Sequence, residues 1–238
     1  SGVIDALNNF TAINTNVKVV NLSLVVPYSA ALQTACSNLY NDGKLIIAAA
    51  GNYNSSIPAY PASLPSVISV ASIQKNKTKS SFSNYGDSIE LTAPGGETLS
   101  EWNVIFNDYN GIYSTLPVDA CLLTSNCHGT LSGTSMAAPH ISGLAGLMFS
   151  ANPCITNDQV RTILQQNTDD LGDTGWDPLY GYGLPLAHYC VSAALELDCN
   201  NSEIIDLNTH KKLIQTIDLL GRETNNSEGF QLHIYDDG

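Results

Sequence analysis

Apolar residues recur along the chain in two alternating rhythms. Val3, Ile4, Leu7, Phe10 and Ile13 fall at mostly helical spacing, and they predict a helix over residues 3–13. The β-branched run at residues 17–24 follows and predicts a buried strand. Ala30, Ala31, Leu32, Ala35 and Leu39 return to helical spacing over residues 29–41, and Asn41-Asp42-Gly43 stops that helix. Residues 45–50 and 67–73 predict two further buried strands, the first of them ended by Gly51-Asn52. Strands alternating with helices of this length pack as a parallel sheet with helices on its faces, so the expected fold class is α/β.

From residue 93 to residue 133 the pattern loosens. This stretch is rich in Gly, Asn, Ser and Thr, with Trp102, Phe106, Tyr109 and Tyr113 scattered through it. It reads as surface loops with a hairpin or two. Helical spacing resumes over residues 135–151 (Ile141, Leu144, Ala145, Leu147, Met148), 157–167 and 184–197. After Cys199 three short strand-like runs, at 204–207, 211–220 and 230–235, are separated by Asn, Ser and Gly. They predict a small all-β tail, too short to bury a core alone. The expected domains are residues 1–198 and 199–238.

Composition narrows the partners. Nine Lys+Arg against 22 Asp+Glu give a formal charge of −13. An acidic chain is a poor match to a phosphate backbone, so no nucleic acid is expected. No apolar run approaches a membrane span, so none is expected; the longest, at residues 45–50, is strand-sized. The chain starts at Ser1 without an initiator Met or a visible signal peptide, as if cut from something longer. None of the six cysteines (Cys36, Cys121, Cys127, Cys154, Cys190, Cys199) forms a C-x-x-C pair, which speaks against a zinc ribbon. Up to three disulfides in an oxidising compartment are expected, with Cys121 and Cys127 the readiest pair and the other connectivity open.

Two stretches carry candidate chemistry. In Gly133-Thr134-Ser135-Met136-Ala137-Ala138-Pro139-His140 a Gly-Thr-Ser step leads into a helix of small residues. A serine there lies in the positive field of a helix N-terminus with free N–H groups nearby, which suits a nucleophile whose attack makes an oxyanion. Taken alone, a Thr-Ser before a helix is more often a helix cap. Pro139 is expected in the first turn, where its missing N–H costs nothing. In Ala48-Ala49-Ala50-Gly51-Asn52 an Asn ends a parallel strand, where α/β ligand sites form. Its amide suits an oxyanion, though an Asn taken alone is more often a turn residue in left-handed conformation.

Together these stretches resemble the subtilisin-like serine proteases, the subtilases of peptidase family S8. Residues 133–140 resemble the family's nucleophile signature, 48–52 its oxyanion block and 20–24 its substrate-binding strand. Tyr60-Pro61-Ala62, Phe82-Ser83-Asn84-Tyr85-Gly86, Ala93-Pro94-Gly95 and Tyr180-Gly181-Tyr182-Gly183-Leu184 follow in the family's order, so the likeness covers about residues 1–197. It implies a three-layer fold, a parallel sheet with helices on both faces, incomplete at its N-terminus. It implies Ser135 as the nucleophile that forms an acyl-enzyme on a polypeptide substrate. It implies Asn52 as an oxyanion donor together with the Ser135 N–H. Ser23, Leu24 and Val25 would hydrogen-bond the substrate backbone, and Ala49, Ala50 and Gly51 would wall the pocket before the scissile bond. Met136 would be open to oxidation. The chemistry would need no cofactor; carbonyls of Ala62, Leu64 and Val67 fall where relatives hold a weak cation, so calcium is a structural possibility.

The departures bear on activity. The family's Asp and His blocks belong upstream of residue 17, and no such blocks occur between Ser1 and that strand. His128 stands only seven residues before Ser135, in the family's lead-in loop, and is not expected to be the base. His140 is expected to be structural, and His188, His210 and His233 match no family role. The chain is therefore expected to carry half an active site, to be inactive alone, and to partner the N-terminal part of the same protein. Val25-Val26 replaces the glycine pair of many relatives and would narrow the groove; residues 97–113 look like an insertion. The tail, with Asp218-Leu219-Leu220-Gly221-Arg222-Glu223 and the closing Asp236-Asp237-Gly238, resembles a truncated sorting domain of bacterial type IX secretion. That implies the secretion machinery as a partner and a secreted or cell-surface location. The rival reading is a catalytically inactive subtilase-like binding module. A serine esterase of the α/β-hydrolase type would need Gly-x-Ser-x-Gly, which is not present around Ser135.

Overall fold

The structure, a computed structural model, describes residues 2–13, 16–97, 110–116, 127–197, 213–217 and 232–235. The chain divides into two compact units, Ser1–Asp198 and Cys199–Gly238. The first unit is built on a four-stranded sheet in the order β1 (Val19–Leu22), β2 (Leu45–Ala49), β3 (Val67–Ile73), β4 (Leu91–Pro94). Every pairing in it is parallel.

Strand β2 shows why the sheet is covered on both faces. All five of its residues are buried. Successive side chains point to opposite faces, and the two sets enter different cores. Ile46 and Ala48 pack with Leu7 of α1 (Gly2–Ile13) and with Leu32, Ala35 and Leu39 of α2 (Ala30–Asn41). Leu45, Ile47 and Ala49 pack with α3 (Thr134–Ala151), α4 (Asn157–Gln166) and α5 (Ala187–Leu195). Each fully buried Leu or Ile contributes about 1.5–3 kcal/mol relative to exposure. Ser29 caps α2, its hydroxyl accepting the Leu32 N–H at 3.2 Å. Thr156 and Gln159 form a capping box on α4.

A partly buried ion pair ties α4 to the entrance of β4. Arg161 donates through Nε and Nη2 to the two oxygens of Glu90, at 2.7 and 2.6 Å. Gln165 adds a bond of 2.8 Å to the same carboxylate. Burial works against the Arg161 charge, but the hydrogen bonds and charge of Glu90 outweigh it and hold the guanidinium pKa above its ordinary value.

Several details differ from the sequence pattern. Strand β4 is four residues long and gave no periodicity to read. The helix expected from residue 184 is preceded by β8 (Leu184–Pro185), paired antiparallel with β7 (Thr168–Asp169). The loop region contains one hairpin among the described residues, β5 (Ile112–Thr115) against β6 (His128–Leu131); the rest of the insertion expected at 97–113 lies mostly outside them. Pro139 is the sixth residue of α3, not in its first turn, because the helix already begins at Thr134. Asn21 is exposed, since β1 is an edge strand and only Leu22 of its four residues is buried.

The expectation of up to three disulfides narrows. Cys36 and Cys190 are free and buried, in α2 and α5. They sit in the cores on opposite faces of the sheet, so they cannot pair. Burial pushes both thiols up to about 11. Cys127 and Cys154 are disulfide-bonded; Cys121 and Cys199 lie outside the described residues. Four cysteines remain for at most two bridges.

In the second unit β9 (Leu213–Ile217) pairs antiparallel with β10 (Leu232–Tyr235), with an irregularity between Ile234 and Tyr235. The expected run at 204–207 lies outside the described residues. Among the described residues no helix is long and apolar enough to cross a membrane.

Candidate active site

Ser135 is the second residue of α3, and the helix start around it is fixed from three directions. A helix leaves its first N–H groups without intrahelical partners. Here the Gly133 N–H bonds the Gly95 carbonyl at 2.8 Å, and that of Met136 bonds the Gly133 carbonyl at 2.9 Å. The Thr134 N–H bonds Oδ1 of Asn52, also at 2.9 Å. The N–H of Ser135 has no acceptor among the described residues. It is the one open donor of the turn, directly beside the hydroxyl.

Asn52 follows β2 and meets this turn through Thr134. The buried Thr134 hydroxyl donates to Asn52 Oδ1 at 2.8 Å and accepts the Gly51 N–H at 3.1 Å. Both contacts to Oδ1 come from donors, so the amide orientation is fixed and Nδ2 is left as the free donor. Gly133 makes room for it: a Cβ there would stand 3.2 Å from Asn52 Nδ2. Asn52 is not in left-handed conformation; Asn54, with φ 47, takes that place in the turn.

Asn84 is a positioning residue that the sequence reading did not single out. Its buried amide donates to the Ala50 carbonyl at 2.9 Å and accepts from the N–H groups of Tyr53 and Ser55 at 2.9 and 3.3 Å. It thus holds the loop on both sides of Asn52. Gly51, at φ +105, lets it in, because a Cβ would lie 2.4 Å from Asn84 Nδ2. The signal was present in the Phe82–Gly86 block, but an Asn between Ser and Tyr has no spacing that marks its role. The same holds for Thr134, hidden beside the serine.

The expected substrate-binding residues lie at the open end of β1. Its pairing with β2 ends at Leu22. Val26 bonds the Tyr60 carbonyl through its N–H at 2.8 Å. Between them, Ser23, Leu24 and Val25 form a short edge with no ladder partner among the described residues. An apolar groove adjoins it, lined by Val25, Pro27, Tyr28, Tyr53, Ile57 and Ala59 among others. Ala49, Ala50 and Gly51 are buried behind the site and do not line this groove. Val25 is exposed and Val26 half-buried, so both carry side chains at its rim.

No described side chain hydrogen-bonds the Ser135 hydroxyl. His128 stacks on Tyr113 with ring centroids 5.5 Å apart, and His140 Nδ1 contacts the Met136 carbonyl at 2.8 Å. His188 packs beside Tyr189. His210 lies outside the described residues, and His233 is on β10 of the second unit.

Ala62, Leu64 and Val67 border a cavity shared with Asp87, Glu90 and Arg161. Leu64 already accepts the Val67 N–H at 3.0 Å, and Glu90 is taken by Arg161 and Gln165. Asp87 is the exposed carboxylate left on that rim. Such a donor set suits a weakly held hard cation better than a tight calcium cage of six to eight oxygens. Among the described residues no group of three His, Cys, Asp or Glu is arranged to hold a metal.

Comparison with known proteins identifies the family. The Subtilase family (Peptidase_S8) profile matches residues 2–183. The chain belongs to the subtilase family. Subtilisin DY of Bacillus licheniformis is 37% identical over 178 residues, covering 73% of this chain and 56% of that protein. Thermitase of Thermoactinomyces vulgaris is 36% identical over 165 residues, covering 69% and 51%. A solved protease of Pseudoalteromonas arctica superimposes with a TM-score of 0.63 at 32% identity, covering 74% of this chain and 51% of that one. A lanthipeptide protease gives a TM-score of 0.66 at 27% identity, covering 80% and 65%. This subtilase chain therefore has the subtilisin-like α/β fold and spans about half the length of the curated relatives it matches.

Proposed function

We propose that the full-length protein is a serine endopeptidase and that this chain supplies its nucleophile and oxyanion site. The observation that carries this is the open Ser135 N–H at a turn where Asn52 is held with its amide donor free. Ser135 Oγ attacks the peptide carbonyl, and the two donors take the charge that develops on its oxygen. The acyl-enzyme then forms as the amine leaves, and water releases it. A serine hydroxyl needs a base to accept its proton. No described group here reaches it, so this reading takes the His and its Asp to be supplied in the full-length protein by residues other than those described. The polypeptide substrate adds its backbone to the edge at Ser23–Val25 and places an apolar side chain in the adjoining groove. Calcium, where bound near Ala62, Leu64 and Val67, is structural only.

A fluorophosphonate probe tests the reading. The full-length protein is expected to label at Ser135, and the 238-residue chain alone is not. A full-length protein that stays unlabelled favours the inactive binding module.

We further propose that the protein is exported, with the tail as its sorting signal. The likeness of residues 211–238 to type IX sorting domains supports this. So does a relative described as extracellular, from Natrialba magadii, 41% identical over 141 residues. Removing residues 199–238 is expected to leave the full-length protein inside a type IX-secreting host. Undiminished export would rule the tail out as the signal.

A further inference from the structure

Pro139 creates a gap in the hydrogen bonding of α3. At helix position 139 an ordinary residue would donate its N–H to the carbonyl of residue 135. Proline has no N–H to give. The carbonyl left without its helical donor is that of the nucleophile itself.

The gap is filled from the neighbouring strand. Ser23 Oγ donates to the Ser135 carbonyl oxygen at 2.9 Å. The Ser23 hydroxyl is itself aimed by Asn21, whose Nδ2 donates to it at 3.0 Å. Asn21 is held in turn by Ser142, whose hydroxyl donates to Asn21 Oδ1 at 2.9 Å and also lies 3.1 Å from the Ala138 carbonyl. Ser142 stands two turns beyond Ser135 on the same helix. Three polar side chains thus link the end of β1 to α3 at two heights. This also accounts for a polar, exposed Asn21 in an otherwise apolar strand.

We propose that the Ser23 hydroxyl is the surrogate for the amide Pro139 lacks, and that Ser23 is a positioning residue for the nucleophile. The carbonyl it holds fixes the peptide plane on the C-terminal side of Ser135. The plane before Ser135 belongs to the turn that Asn52 and Thr134 anchor. The direction of the Ser135 side chain is set between these two planes. Ser23 also begins the edge that receives substrate backbone, so substrate seating and nucleophile placement meet in one residue. The catalytic part of this inference rests on the endopeptidase reading; the surrogate bond does not.

A double-mutant cycle tests it in the full-length protein. Ser23→Ala is made with Pro139 intact and again in Pro139→Ala, where residue 139 regains its amide. Melting is measured in a Ser135→Ala background, which prevents self-cleavage and keeps the carbonyl. With Pro139 present, Ser23→Ala is expected to lower Tm by about 2–4 °C, as for loss of one hydrogen bond. In the Pro139→Ala background the loss should shrink by at least half, because the helix supplies its own donor. Equal losses in the two backgrounds overturn the surrogate bond. In protein with Ser135 intact, Ser23→Ala is expected to lower kcat about 10-fold with KM little changed, and Ser23→Thr to restore most of it. An unchanged kcat overturns the positioning role even if the melting cycle shows coupling. A full-length protein that hydrolyses no peptide at all refutes the endopeptidase reading and the positioning role together, while the melting cycle still decides the bond.

Discussion

Ser135→Ala is expected to reduce peptide hydrolysis by the full-length protein about 10⁶-fold in kcat, a magnitude taken from a subtilisin. The reason is the loss of the only atom that can form the acyl bond. The hydroxyl makes no hydrogen bond to a described side chain, and the residue is half-buried in the second position of a helix where alanine is well tolerated. Stability should therefore move by no more than about 0.5 kcal/mol. The combination matters more than the rate alone. A variant that loses activity and also melts early would have damaged the turn, whereas an unchanged Tm places the whole loss in the chemistry. Initial rates on a peptide substrate and a thermal melt of the same preparation check both. More than about 1% residual turnover would remove Ser135 from the nucleophile role.

Much of the fold could be read from periodicity because both faces of the sheet are buried. A strand such as β2, apolar at every position, leaves little choice but a central parallel strand. Ser135 and Asn52 could be proposed because each ends or begins an element at a place where parallel sheets form sites. What holds them could not. Thr134, Asn84 and Ser23 act through hydrogen bonds that reach residues 82, 34 and 112 positions away. No local pattern encodes such a pairing. Pro139 shows the limit well. Sequence alone made it harmless by putting it in the first turn, whereas one turn further into the helix it frees the nucleophile carbonyl for Ser23. Strand β4 was missed for a simpler reason, since four residues ending in Pro94 are too few to display a period.

Asn52→Asp is expected to lower kcat at least about 10²–10³-fold, the figure for loss of one oxyanion donor, which also comes from a subtilisin. The change is chosen because it separates anchoring from catalysis. Aspartate keeps an oxygen where Oδ1 stands, so it still accepts from the Thr134 N–H and hydroxyl at 2.9 and 2.8 Å. The loop should stay in place, and Tm should hold within about 2 °C. What changes is the other terminal atom: a carboxylate oxygen replaces the free N–H donor and faces the developing negative charge. Asn52→Leu removes both functions at once. It leaves the Thr134 N–H without its acceptor, which costs about 1–3 kcal/mol when buried. It should therefore lose stability as well as kcat. KM should change little in either variant, because the donor is used most strongly when the carbonyl becomes an oxyanion. Steady-state kinetics with thermal melts on the pair decide the matter. If Asn52→Asp retains kcat within a factor of ten, Asn52 only anchors Thr134 and the oxyanion is held elsewhere. If both variants lose kcat but only Asn52→Leu melts early, the amide has two separable jobs, one at each of its atoms.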